Sequence, residues 1–120
     1  MNYTLLIYED VAGFDLRNTS DTAARKAYSG GFMAYTKALQ EAGVMVAGAG
    51  LQPPVTATTL RMRNGKRQVQ DGPFADTKEQ LGGYYVINVP DLDAALDWAA
   101  RIPASPGSVI EVRPNLVPPS

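Results

Sequence analysis

Two short segments of this sequence, residues 2–8 and 84–89, place apolar side chains on both faces of a β-strand. Successive side chains of a strand point to opposite faces, so a strand with one solvent face alternates between apolar and polar residues. The first segment is apolar or aromatic on one face (Tyr3, Leu5, Ile7) and mostly so on the other (Thr4, Leu6, Tyr8). Both strands therefore have to be covered on both sides, which excludes a sheet with one bare face.

The remaining periodicity predicts an α+β domain. A helix is expected from the capping residues 19–21 to about residue 42, and a second from Asp91 through residues 92–102. Strands are expected at residues 44–49 and 108–113. Asn64-Gly65 predicts a type I′ hairpin between strands 56–63 and 66–70. Residues 9–18 are predicted to be a polar loop.

The resulting order, β-α-β, hairpin, β-α-β, predicts a ferredoxin-like fold with two helices on one face of an antiparallel sheet. Two helices cover only one face, so the second is expected to be covered by another copy of the chain, in a homodimer of the dimeric α+β barrel type. The domain is expected to span residues 1–113, followed by a proline-rich tail at residues 114–120.

Composition restricts the chemistry. Lys and Arg number 11 against 12 Asp and Glu, without a basic stripe, so neither nucleic acid nor a membrane is an expected partner. The absence of cysteine fits a cytoplasmic protein. There is no histidine either, which removes the commonest general base and metal ligand. Without His or Cys, and with no carboxylate cluster at metal-ligand spacing, we predict no metal. We also predict no cofactor.

The residues 70–89, QDGPFADTKEQLGGYYVINV, gather the most candidate chemical groups. Asp71 and Glu79 are the candidate catalytic residues, because a partly buried carboxylate can act as a general base. Structural roles compete with this: Asp71-Gly72-Pro73 is typical of a turn, with Phe74 filling the core. Likewise, Thr77 and Gln80 match a capping box at a helical turn.

The candidate substrate-binding residues are those whose polar tips could share one cavity with these carboxylates. Tyrosine hydroxyls would orient a polar or aromatic ligand, an amide would come from a proline-held loop, and a lysine would attract an anion. These candidates are Tyr8, Tyr35, Tyr84, Gln52 and Lys78. The alternative is that the tyrosines fill the core and that Gln52 and Lys78 are solvated.

The segments LLIYED, GLQPP and DGPFADTKEQLGGYYVINVPDLDAALDWAARIP resemble the YCII-related family, also called DGPF-domain proteins, over essentially the whole chain. The resemblance implies a ferredoxin-like dimer with a pocket between sheet and loops. Most of that family has no established function, and a distant branch includes a dehydrochlorinase with a proposed His–Asp pair. Of that pair, only the aspartate has a counterpart in this chain, at Asp71.

Three functions remain open from the sequence, and whether the protein is an enzyme is not decided. One is a small dimeric protein whose polar pocket near the DGPF loop binds or transforms a small metabolite. The second is a lyase, similar to a dehydrochlorinase, with Asp71 as general base. The third is a non-catalytic accessory or dimerisation domain.

Overall fold

The computed structural model describes residues 1–118, which form six strands and three α-helices. The strands are β1 (Asn2–Glu9), β2 (Met45–Gly50), β3 (Thr58–Arg63), β4 (Lys66–Asp71), β5 (Gln80–Asn88) and β6 (Val109–Pro114). The helices are α1 (Val11–Asn18), α2 (Thr22–Glu41) and α3 (Leu92–Ala100), with a short 3-10 turn at Pro54–Thr56. The α+β class is therefore confirmed, with three helices instead of two.

Four strands form one antiparallel sheet in the order β2-β5-β1-β6. The alternating pattern of β1 and β5 sends every second side chain into the core between sheet and helices. The buried cluster consists of Tyr3, Leu5, Ile7, Tyr35, Leu39, Tyr85, Ile87, Val89, Ala95 and Ala99. Because α2 and α3 both contribute to this cluster, their buried stripes fix the helices on the sheet.

Both predicted helices begin at the expected aspartates. The carboxylate of Asp21 accepts a hydrogen bond from the Ala24 amide, and Asp91 accepts one from the Ala94 amide. Each satisfies an amide that has no partner within its own helix. After α2 ends, Gly43 adopts a φ of +72°, a left-handed conformation that favours glycine.

The expectation of a loop over residues 9–18 is wrong, because α1 occupies most of it. Asp10 caps this helix by accepting from the Gly13 amide at 3.1 Å, and Phe14 is buried beneath it. An eight-residue helix is marginal by itself, so its packing through Phe14 and Gly13 stabilises it.

The predicted helical turn at residues 77–80 is also wrong. Gln80 begins β5, and its side-chain amide donates to the Ala75 and Thr77 carbonyls, so it holds a loop together and caps no helix. Phe74 does not fill the core: it is 74% exposed, and the Arg61 guanidinium lies 5.0 Å from its ring centroid.

Strands β3 and β4 form a separate hairpin that projects from the body. Its turn has positive φ at Asn64 (50°) and Gly65 (75°), which confirms the predicted turn chemistry. Every hairpin residue except Thr59 is exposed. The radius of gyration is 16.2 Å, above the roughly 14 Å expected for a compact chain of this length.

The main sheet is open: within residues 1–118 no sheet closes into a barrel. The face opposite the helices carries half-buried Leu6, Tyr8, Tyr84 and Val86. The predicted tail overlaps β6 at Pro114, and residues 119–120 of it lie outside the described range. Among the described helices, none combines the length and the hydropathy needed to cross a membrane.

Candidate functional site

A cavity of about 410 Å³ lies between α2 and the sheet. Its helical wall consists of Arg17 from α1 and of Arg25, Tyr28, Ser29, Phe32 and Thr36 from α2. The strands supply the opposite wall, with Ile7, Met45, Gly48, Ala49, Gly50, Gly82, Gly83 and Tyr85. The volume falls at the lower end of the range for small-molecule pockets, roughly 300–1,000 Å³.

Four of the strand residues that line the cavity are glycines, and one of them, Gly50, faces open space. Gly50 of β2 pairs with Gly83 of β5, and Gly83 also pairs with Ile7 of β1. A Cβ at Gly50 would have no atom within 4 Å, so a larger side chain there would enter the open space. At Gly83 a Cβ would lie 2.9 Å from the Ala49 carbonyl oxygen. Glycine at this position therefore allows β2 and β5 to approach closely.

Glu9 lies behind the cavity wall and has no exposed surface. Its Oε2 accepts from the Arg17 Nη1 at 2.5 Å, and the Tyr28 hydroxyl contacts both carboxylate oxygens at 2.8 and 3.1 Å. A buried carboxylate requires both a counter-charge and hydrogen bonds, and these two side chains provide them. Glu9 therefore positions Arg17 and Tyr28, the two residues of this network that line the cavity.

The Arg17 guanidinium is held from several directions. It donates to the carbonyl oxygens of Gly82 at 2.9 Å and Gly13 at 3.3 Å, and it lies 4.7 Å from the Phe14 ring centroid. The guanidinium also lies 5.4 Å from the centroid of the Tyr28 ring. These contacts fix the direction of the side chain, because a guanidinium presents its donors in a rigid plane.

A β-bulge places the Gly82 carbonyl in this position. The pairing of β1 with β5 shifts between Ile7 and Tyr8, so that Gly82 is an extra residue on β5. Its carbonyl accepts from Arg17 and also from the Leu51 amide at 2.9 Å. A Cβ at Gly82 would lie 2.9 Å from Arg17 Nη2, so only glycine leaves room for this arrangement.

The environment keeps the Tyr28 hydroxyl protonated. Burial raises its pKa well above the ordinary value near 10, and the hydrogen bond to the Glu9 carboxylate raises it further. The pKa of Tyr35 is also raised, first by burial and then by Tyr85, and its hydroxyl donates to the Trp98 carbonyl. Tyr28 is therefore a fixed hydrogen-bonding group of the wall and is unsuited to be a base near neutral pH.

In chemical terms the cavity can bind and orient a molecule. Its polar groups are two guanidiniums and four hydroxyls, from Tyr28, Ser29, Thr36 and Tyr85, set among aliphatic and aromatic surface. The hydroxyls of Thr36 and Tyr85 are 2.9 Å apart and share a hydrogen bond. Among residues 1–118, no three His, Cys, Asp or Glu side chains gather as a metal site would require.

The candidate catalytic residues from the sequence do not line this cavity. Asp71 is exposed at the end of β4, and its carboxylate makes no hydrogen bond with the described residues. Glu79 is half-buried in the loop before β5. The catalytic roles of Asp71 and Glu79 stay predictions.

The candidate binding residues are dispersed over different parts of the fold. Gln52 and Lys78 are exposed in loops. Tyr8 and Tyr84 share the open face of the sheet, whereas Tyr35 is buried on the helical side. None of the five is among the residues that line the cavity.

Sequence reasoning missed Glu9, Arg17, Arg25 and Tyr28 as site residues. The signal for Glu9 was present, because it continues the alternation Tyr3, Leu5, Ile7 into the buried face. A carboxylate on a buried strand face requires a cationic partner, and Arg17 on the following helix meets that requirement.

Comparison with known proteins confirms the family that the sequence motifs indicate. The YCII-related domain family matches residues 1–116. An uncharacterized protein of Rhizobium meliloti (strain 1021) is 49% identical over 76 residues, which cover 62% of this chain and 61% of that protein. The aligned region thus spans about three fifths of the length of the curated relative it matches.

Proposed function

We propose that this chain, which belongs to the YCII-related domain family, binds a small organic molecule in the cavity between α2 and the sheet. The observation that carries the proposal is a cavity of about 410 Å³ whose wall includes Arg17 and Tyr28, both held by the fully buried Glu9. Burying a carboxylate is costly for a structural purpose alone. A pre-formed concave surface with a few fixed polar groups is typical of ligand sites.

Binding is favoured over catalysis by the state of the groups at the cavity. Glu9 is unexposed and paired with Arg17, and the raised pKa of Tyr28 keeps its hydroxyl protonated. Among the described residues lining the cavity, none is a carboxylate or lysine that could accept a proton. A lyase using Asp71 remains the alternative, and it would need a substrate site at the hairpin.

The proposal includes a homodimer formed through the open face of the sheet. The strand order β2-β5-β1-β6 supports the expected ferredoxin-like sheet, and the half-buried side chains of Leu6, Tyr8, Tyr84 and Val86 on its open face support the interface. A second copy related by a two-fold axis would cover this surface with an identical one. The cavity lies on the opposite, helical side, so both features can exist together.

Ligand binding is tested by filling the cavity. Gly50→Leu directs a side chain into open space, and Gly30→Leu on α2 is the matched control, since a Cβ there also meets no atom within 4 Å. A metabolite library is screened by thermal shift against the wild type and both variants. We expect compounds that stabilise the wild type and Gly30→Leu but not Gly50→Leu. Equal responses from all three proteins would refute the cavity as the site.

Dimerisation is tested by light scattering on Val86→Arg. Val86 lies on the open face in the middle of the β1–β5 pairing, so a charge there would be buried in the proposed interface. We expect the wild type to be a dimer and Val86→Arg a folded monomer, with Val11→Arg on the exposed surface of α1 unchanged. A wild type that is monomeric at micromolar concentration contradicts this part of the proposal.

A further inference from the structure

Formal charge is distributed unevenly in the cavity wall. Of the lining residues, only Arg17 and Arg25 carry a full charge at neutral pH, and both are cationic. The Glu9 carboxylate neutralises Arg17 at 2.5 Å. What remains is one uncompensated positive charge, on Arg25.

Arg25 has few partners. Its Nη1 donates to the Thr19 carbonyl at 3.1 Å, and no carboxylate among residues 1–118 lies within 4.0 Å of its guanidinium. Four of the five N–H donors of a guanidinium are therefore available to a ligand. A carboxylate or similar oxyanion is the group that best matches this planar set of donors.

The remainder of the cavity suits an apolar, flat body. Phe32 and Tyr85 present aromatic surface, Ile7 and Met45 present aliphatic surface, and the strand wall at Gly48 and Gly50 lacks side chains. A volume of about 410 Å³ accommodates a molecule of one or two rings.

We infer that the ligand of this cavity is a small monoanion with a planar apolar body, its anionic group bound by Arg25 and its body by Phe32 and Tyr85. This inference rests on the proposed binding function and names its ligand class. Arg17 is excluded as the anchor because its charge is already paired with Glu9. Arg25 is the specificity-determining residue, since it alone distinguishes an acid from its neutral isostere.

The experiment compares 2-naphthoate with 2-naphthamide by isothermal titration calorimetry. The two probes have the same ring system and differ in the charge of one group. In the wild type we expect the amide to bind at least roughly fivefold more weakly, as the loss of one partly solvated ion pair predicts. In Arg25→Gln the acid should weaken to the level of the amide.

Lys26→Gln is the control for net charge. Lys26 is the adjacent cation on α2, is exposed and does not line the cavity. The preference for the acid should persist in this variant at the same salt concentration. An equal loss in Lys26→Gln and Arg25→Gln would show a general field effect and overturn the assignment to Arg25.

The outcomes distinguish failure of the anionic ligand class from failure of ligand binding in the cavity. If acid and amide bind the wild type equally and Gly50→Leu abolishes both, the cavity is a binding site and the anionic ligand class is wrong. If neither probe binds the wild type but library compounds still distinguish it from Gly50→Leu, the ligand class is wrong and the binding function stands. If no library compound distinguishes them either, both are refuted.

Discussion

Replacing Glu9 with glutamine should destabilise the fold substantially while leaving its shape unchanged. The substitution keeps the side-chain volume and one acceptor oxygen but leaves the Arg17 guanidinium without its counter-charge. Arg17 is only 16% exposed, so solvent screens it weakly. Removing one partner of a buried ion pair costs about 3–5 kcal/mol. The retained acceptor places Glu9→Gln near 3 kcal/mol, a Tm decrease of about 12 °C for a domain of this size.

The reciprocal change, Arg17→Met, should cost about 4 kcal/mol, because it leaves a carboxylate with no exposed surface unpaired. The double variant contains neither charge. It should therefore be about 2–3 kcal/mol more stable than the sum of the single effects predicts. Urea unfolding followed by Trp98 fluorescence measures all four proteins, because this single tryptophan packs edge-on against buried Tyr35.

The surface pair Lys37–Glu41 provides the control for this cycle. Its atoms are 3.8 Å apart and its side chains are 74% and 68% exposed. Glu41→Gln should change the free energy of unfolding by less than about 0.5 kcal/mol. If Glu9→Gln behaves like Glu41→Gln, or if the double variant is simply additive, the view of Glu9 as a buried positioning residue is refuted.

Three further predictions concern glycine, tyrosine and aspartate. Gly82→Ala should cost about 1–3 kcal/mol because its Cβ would lie 2.9 Å from Arg17 Nη2, whereas Gly50→Ala should be tolerated; thermal unfolding compares them. The raised pKa of Tyr28 means that the folded state holds this proton more tightly than the unfolded state. The contribution of Tyr28 to the free energy of unfolding is therefore complete below pH 10 and is lost as the pH rises further. Tyr28→Phe should flatten this alkaline decrease in stability. Asp71→Asn should change stability by less than about 0.5 kcal/mol in urea unfolding, since the exposed carboxylate holds no turn; a large loss would restore a structural role for it.

The parts of the fold that follow from local rules could be predicted from the sequence. The caps at Asp21 and Asp91 and the Asn64-Gly65 turn depend on residues close in sequence, and the apolar alternation of β1 and β5 depends on period alone. Helix α1 was missed because it is short, contains a glycine and is stabilised mainly by burial of Phe14.

The site could not be predicted because it depends on residues that are distant in sequence and on glycines, which have no side chain. Glu9 and Arg17 are near in sequence, but the Gly82 carbonyl that orients Arg17 is 65 residues from it. Gly50 and Gly83, which pair across β2 and β5, both line the cavity, and glycine carries no hydrophobic signal. Asp71, in the motif with the most polar groups, lies instead in an exposed hairpin away from the cavity.

The β-bulge residue Gly82 could be deleted in a relative without disturbing the pairing of β1 with β5. Removing it would leave Ile7 paired with Gly83 and Tyr8 paired with Leu81, now without interruption, so the shorter chain would form a more regular ladder. The same deletion would remove the carbonyl shared by Arg17 and the Leu51 amide. A single-residue gap at this point in an alignment would therefore mark relatives that keep the architecture but lack the Gly82 carbonyl that holds Arg17 in the cavity wall.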